Sequence, residues 1–88
     1  MDRETFIRTL ADEGFPEPVL VTREAGTTDE HTHPFEAKAL IVAGEIGISV
    51  NGVERLYRAG DVFHLAPNLP HAERYGHGGV QYLAGRKG

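Results

Sequence analysis

The chain has 88 residues, a formal net charge of −4 at pH 7 and no cysteine. Without cysteine it forms neither disulfides nor thiolate metal sites, so a metal ion would have to be held by imidazole and oxygen groups. The acidic balance provides no basic surface for nucleic-acid phosphates or anionic lipids, and neither partner is expected. No apolar run reaches the ~18 residues of a membrane span, which predicts a soluble domain.

The N-terminal segment predicts one short helix, over about residues 2–13. Phe6, Ile7 and Leu10 fall on one helical stripe, and Asp2 and Gly14 are placed to begin and end the helix. The segment is charged and lacks an apolar centre followed by a cleavage site, so no secretory signal is indicated. We therefore expect a cytoplasmic protein.

The rest of the chain favours β-structure, because short runs rich in branched and aromatic residues alternate with turn residues. Asn51-Gly52 predicts a type I′ turn, and hence a hairpin over residues 45–57. The glycines of residues 76–79 are interpreted as a turn, and residues 86–88 as a frayed end. The predicted strands are residues 19–24, 37–43, 45–50, 53–57, 62–65, 71–75 and 80–84. This spacing favours a sandwich or barrel in a single domain, residues 1–88.

Three histidines are the candidate metal ligands. His31 and His33 lie two residues apart and would point to the same side of an extended segment. Pro34 favours that conformation, since the residue before proline is disfavoured in the helical region. His71 follows a Pro-Asn-Leu-Pro turn that could direct it back into the body. Three imidazoles suit Zn, Fe, Ni, Cu or Mn.

Taken together, these residues resemble the cupin superfamily. Its first motif places an HXH pair and a glutamate between two glycines, and its second begins with a glycine and contains a third histidine. His31, His33, Gly44, Gly60 and His71 match those anchoring positions. Four positions depart from the motifs. Gly26 is one residue too close to His31, Ala66 and Asn68 replace the second motif's proline and glycine, and Tyr75 replaces its terminal asparagine.

The motif's metal-binding glutamate is missing, because its expected places hold Ala37 and Lys38. Glu36 should face away from His33 by strand alternation, unless a bulge intervenes. Glu73 is the better candidate, since it shares a strand face with His71, and it could act as a ligand or as an acid/base group.

The resemblance implies a cupin double-stranded β-helix, a jelly-roll-like barrel over about residues 19–85, after one N-terminal helix. It implies a divalent metal held by His31, His33 and His71, and a small organic molecule bound or transformed beside it. Without the motif's glutamate, the ion would keep more positive charge and favour an anionic molecule. If the protein is an enzyme, the resemblance implies a metal-dependent cupin such as a dioxygenase or isomerase. A metal-free binding or sensing module is the alternative.

Two further expectations concern assembly and a fourth histidine. A domain of this size buries only about 60% of the surface of its unfolded chain, which favours a homodimer. His64 is expected to have a solvated or hydrogen-bonded structural role, although its strand leaves open which face it occupies.

Overall fold

A computed structural model describes all 88 residues. The elements are one helix, α1 (Arg3–Asp12), and six strands, β1 (Val19–Arg23), β2 (Gly26–His31), β3 (Glu36–Val50), β4 (Val53–Arg58), β5 (Val62–Leu65) and β6 (His71–Lys87). The prediction of an all-β body after one short helix is confirmed. The helix is neither long nor apolar enough to cross a membrane.

Helix α1 begins at the predicted cap and covers the outside of the sheet. The Asp2 carboxylate accepts a hydrogen bond of 2.8 Å from the backbone N–H of Thr5, which satisfies one of the free donors of the first turn. Phe6 and Leu10 are fully buried against the outer face of β3 and β6. Ile7 was predicted on the same stripe but is 40% exposed, because the sheet covers only the i, i+4 pair.

Strands β3 and β6 are each continuous where the sequence predicted an interruption. The predicted strand ends on either side of Gly44 are wrong, and so is the predicted turn at residues 76–79. Gly44 and Gly79 have φ of +76° and +77°, and the β3–β6 register shifts on both sides of Gly44. These glycines bend the paired strands without ending them. They were misinterpreted because turns and bulges both favour glycine at positive φ.

The C-terminal residues were also predicted incorrectly. Arg86 and Lys87 are not frayed, because they pair with Ala37 and Glu36 of β3. Strand β2 was not predicted at all, since residues 26–31 are polar and lack the usual alternation.

The two long strands are shared by two four-stranded halves. In one half the order is β1, the end of β6, the start of β3, and β5; in the other it is β2, the start of β6, the end of β3, and β4. The main apolar core lies between the halves, as the Tyr57 and Phe63 rings show, with centroids 5.8 Å apart across the gap. One end of this enclosed space contains the three histidines.

The predicted hairpin is confirmed, and Asn68 also has positive φ, which asparagine tolerates better than most other non-glycine residues. Asn51 and Gly52 have φ of +52° and +78°, as a type I′ turn requires. Asn68 has φ of +61°, at a position where the cupin motif carries glycine. Its backbone N–H donates a 2.7 Å hydrogen bond to the carbonyl of His33, which joins the loop before His71 to the loop that carries His33.

Replacing Gly44 by alanine should destabilise the protein by about 3 kcal/mol, because the residue would be strained at positive φ and its Cβ would overlap the carbonyl oxygen of Gly79. The measurement is urea unfolding followed by circular dichroism. Gly78→Ala is the matched control, since Gly78 has open space around it and no positive φ. Equal stability of the two variants would contradict this account of the bend.

Candidate metal centre

The three histidines come together at the point where β2 ends and β6 begins. His31 is the last residue of β2 and the cross-strand partner of His71, the first residue of β6. Their ring centroids are 4.3 Å apart, and that of His33 lies 4.8 Å from His31 and 4.9 Å from His71. One ligand atom of each residue lies within 4.8 Å of the others, so the cluster could hold a metal ion.

Backbone carbonyls fix the tautomers of two of these rings. Nδ1 of His31 bonds to the carbonyl of Asp29 at 2.8 Å, and Nδ1 of His71 bonds to that of Leu69 at 2.9 Å. A carbonyl only accepts, so each Nδ1 donates its proton and, in the neutral ring, Nε2 keeps a free lone pair. Metal-binding histidines are commonly oriented in this way by a second hydrogen bond.

Nε2 of His71 is a buried polar atom without a hydrogen-bond partner. The residue is only 1% exposed, and an unsatisfied buried atom of this kind costs roughly 1–3 kcal/mol. An ion at the centre of the cluster would satisfy it, so the donor set fits a metal.

Glu73 lies beside two of the histidines, as strand alternation predicted. Its Oε2 is 3.4 Å from Nε2 of His31 and 3.4 Å from Nε2 of His71. Two ligands at ~2.1 Å from one tetrahedral ion lie about 3.4 Å apart, so this spacing suits a shared ion better than a hydrogen bond. The carboxylate therefore lies beside the cluster, at a spacing from two of its rings that a shared ion would allow.

A short chain of hydrogen bonds orients that carboxylate. Tyr75 donates to Oε1 of Glu73 at 3.2 Å, and Thr28 and Tyr75 share a hydrogen bond of 2.6 Å. Because the Tyr75 hydroxyl donates its only proton to Glu73, the Thr28 hydroxyl must be the donor of the second bond. One carboxylate oxygen is thus anchored and the other faces the histidines.

The structure separates the candidates for the missing motif glutamate. Ala37 lines the cavity beside the histidines, whereas Lys38 points outward and binds Glu13 at 2.9 Å. Glu36 contacts His64 at 2.5 Å and Lys87 at 3.9 Å, so it lies outside the cluster, as expected. The vacancy in the motif is therefore at Ala37, and Glu73 approaches the cluster from another strand.

His64 and His77 are not part of the cluster. The His64 side chain is half exposed and hydrogen-bonded to Glu36, in agreement with the expected structural role. His77 is exposed on β6, although it was predicted in a turn.

His33 is held by stacking and resists protonation. Its ring lies parallel to that of Phe35, with centroids 4.8 Å apart and an interplanar angle of 5°. Burial lowers the pKa of His33 below its ordinary value of 6.5, and the positive charges that His71 and His31 would carry lower it further. The neutral imidazole, which is the form that binds metal, is therefore favoured at neutral pH.

The metal-free protein should lose stability as the pH falls below 6.5, the ordinary pKa of His33. The folded-state pKa is the lower one, so between the two values the unfolded chain binds more protons. The free energy of unfolding then rises with pH through this window and levels off above it. Urea unfolding at about pH 7.5 and about pH 5.5, with chelator present, measures the difference. His33→Gln should reduce this pH dependence, and an unchanged dependence would contradict the assignment.

A cavity of about 150 Å³ opens beside the cluster. Apolar side chains form most of its wall, and His31, His33 and Glu73 lie along it. Three polar residues of this wall, Thr28, Arg23 and Arg86, were not predicted from the sequence. Arg86 could have been found, because it continues the inward-facing series of Tyr82 and Ala84.

The family model described as Cupin domain matches residues 19–78, more than half of the chain. The chain belongs to the cupin family. The match covers all but the last part of the barrel and includes all three histidines of the cluster. The resemblance seen in the motifs is thereby confirmed.

Solved structures share this cupin fold. An RmlC-like cupin from Shewanella frigidimarina is 23% identical with a TM-score of 0.66, and the match covers 82% of this chain and 66% of that one. A DUF861 family protein from Thermotoga maritima is 13% identical with a TM-score of 0.70, over 94% of this chain and 90% of that one. DMSP lyase DddQ from Ruegeria pomeroyi is 26% identical with a TM-score of 0.71, over 82% of this chain.

The cupin spans only 38% of the lyase's length, and no curated protein sequence matches it. These likenesses support the double-stranded β-helix, while the choice of reaction depends on the site itself.

Proposed function

We propose that this cupin holds one divalent metal ion through His31, His33 and His71 and binds or transforms a small anionic organic molecule in the adjoining cavity. The observation that carries the proposal is the buried Nε2 of His71, which has no hydrogen-bond partner. It lies 3.4 Å from Oε2 of Glu73, the same distance that separates this oxygen from Nε2 of His31. Glu73 is the fourth ligand or, when another group takes that position, an acid/base group.

Three imidazoles and one carboxylate are suitable ligands for Zn, Fe, Mn, Ni or Cu, so the ligand types do not distinguish among these metals. Such an ion would supply Lewis acidity toward a bound oxygen and lower the pKa of bound water. The chain's own residues do the rest: the Asp29 and Leu69 carbonyls hold the rings of His31 and His71, and Tyr75 orients Glu73.

The charge of the cavity favours an anionic molecule. One carboxylate faces the cluster, so a divalent ion would leave a net positive charge there, and Arg23 and Arg86 lie along the same cavity. Neither arginine forms a salt bridge with a carboxylate. No reaction is carried over from the relatives, since a cupin fold supports many chemistries.

We also propose that the cupin is a cytoplasmic homodimer. The exposed apolar residues Val19 and Leu20 lie on β1, an edge strand of one half, and Val53 and Leu56 lie on β4, an edge strand of the other half. Pairing of two copies along such an edge would cover apolar surface that a small domain leaves in water. Light scattering after gel filtration should give twice the 9.6 kDa of the chain, and a monomer at micromolar concentration would contradict the proposal.

The direct test of the metal proposal is elemental analysis of protein purified without a histidine tag, followed by titration of the chelator-treated protein with Mn, Fe, Ni and Zn salts at neutral pH. One equivalent of metal, present at purification or restored by titration, is expected. A protein that contains no metal and takes up none would contradict the proposal and favour the metal-free binding module.

A further inference from the structure

Arg86 and Ala37 are direct cross-strand partners on β6 and β3, and both line the cavity. Ala37 stands at the motif position of a glutamate, so a carboxylate that would sit next to this guanidinium is absent. A cavity-facing arginine without a carboxylate partner is a ready site for an external anion.

The exposed Arg86 side chain lies over an aromatic ring that also packs on one of the histidines. Its Cζ lies 5.1 Å from the centroid of the Phe35 ring, a cation–π distance, and the same ring stacks on His33. Arg23, the other cavity arginine, donates a 3.3 Å hydrogen bond to the Thr22 carbonyl, whereas no hydrogen bond involves the Arg86 side chain. Arg86 therefore has the larger unused donor capacity.

We propose that Arg86 binds the carboxylate of a small monocarboxylic acid, in the space that Ala37 leaves beside the metal cluster. This inference rests on the proposed function, which places the reacting end of the ligand at the metal cluster. It adds the class of ligand and the residue that selects it.

The size and the walls of the cavity limit the rest of the molecule. A cavity of about 150 Å³ is close to the size that accepts benzene in an engineered apolar site, which corresponds to roughly six non-hydrogen atoms. Ala39, Phe63 and Tyr82 line it, so the body of the ligand is short and apolar. The planar fork of arginine matches a carboxylate in two parallel hydrogen bonds.

The test uses butyrate as the probe and butyramide as its uncharged isostere, with binding followed by NMR of the His33 and Phe35 ring signals. It is performed on chelator-treated protein and on protein loaded with Zn²⁺. Butyrate should bind saturably in both states, and butyramide at least tenfold more weakly. Arg86→Gln should weaken butyrate binding at least tenfold, and Arg3→Gln, which removes the same charge from the exposed start of α1, should leave it unchanged.

Ala37→Glu supplies a second variant, because the added carboxylate would pair with Arg86 and fill the same space. It should abolish butyrate binding while Zn²⁺ binding persists. Equal effects of the two arginine variants, or binding of inorganic phosphate more tightly than butyrate, would overturn the inference. Failure of the wild-type protein to bind Zn²⁺ would refute only the metal proposal, since the dependence of butyrate binding on Arg86 is also measured without metal.

Discussion

Replacing His71 by glutamine should lower the affinity of the cupin for divalent ions by at least about a hundredfold. Loss of a residue that merely orients a metal ligand costs 10–100-fold, so loss of a ligand should cost more. His71 is the most buried of the three histidines and the cross-strand partner of His31, so its removal opens the centre of the cluster. Calorimetric titration of chelator-treated protein with Zn²⁺ measures the effect.

His77→Gln is the matched control, since it makes the same change on the same strand at an exposed position. It should bind Zn²⁺ like the wild-type protein. The far-ultraviolet circular dichroism of both variants verifies the fold, because His71→Gln also removes the hydrogen bond to the Leu69 carbonyl. Wild-type affinity in a folded His71→Gln protein would remove this residue from the site.

Glu73→Gln should weaken Zn²⁺ binding by roughly ten- to a hundredfold, which corresponds to about 1.4–2.8 kcal/mol. The substitution removes the negative charge that lies 3.4 Å from Nε2 of both His31 and His71. It keeps an oxygen that can accept from Tyr75, and its amide N–H can donate to the unpartnered Nε2 of His71. The metal-free variant should therefore be at least as stable to heat as the metal-free wild-type protein.

Glu24→Gln removes an equal charge from an exposed position without a salt bridge, and should change neither the Zn²⁺ affinity nor the thermal stability of the metal-free protein. The pair of measurements separates a ligand from a structural residue. A Glu73→Gln variant that is unstable without metal yet binds Zn²⁺ normally would show that the carboxylate serves the fold.

The elements that followed local rules were predictable from the sequence. Asn51-Gly52 fixes a turn by its own backbone preference, and Asp2 caps α1 through a bond within one helical turn. The three histidines were recognised as a set because their spacing matches the cupin motifs. The position of Glu73 followed from strand alternation alone.

The features that depend on distant pairing were not predictable. Gly44 and Gly79 resemble turn residues locally, and only the antiparallel pairing of β3 with β6 makes them bends in continuous strands. Arg86 looked like part of a disordered end for the same reason, since its order comes from Ala37, far earlier in the chain. Arg86 was consequently missing from the predicted site.

An anomalous diffraction map of untagged, metal-reconstituted crystals would reveal whether the His31, His33 and His71 cluster holds a metal ion. One peak, measured at the absorption edge of the added metal, is expected within bonding distance of all three imidazoles, with Oε2 of Glu73 or an added carboxylate at the fourth position. The absence of an anomalous peak among these three side chains, in crystals whose solution contains the metal, would show that the cluster is not a metal site.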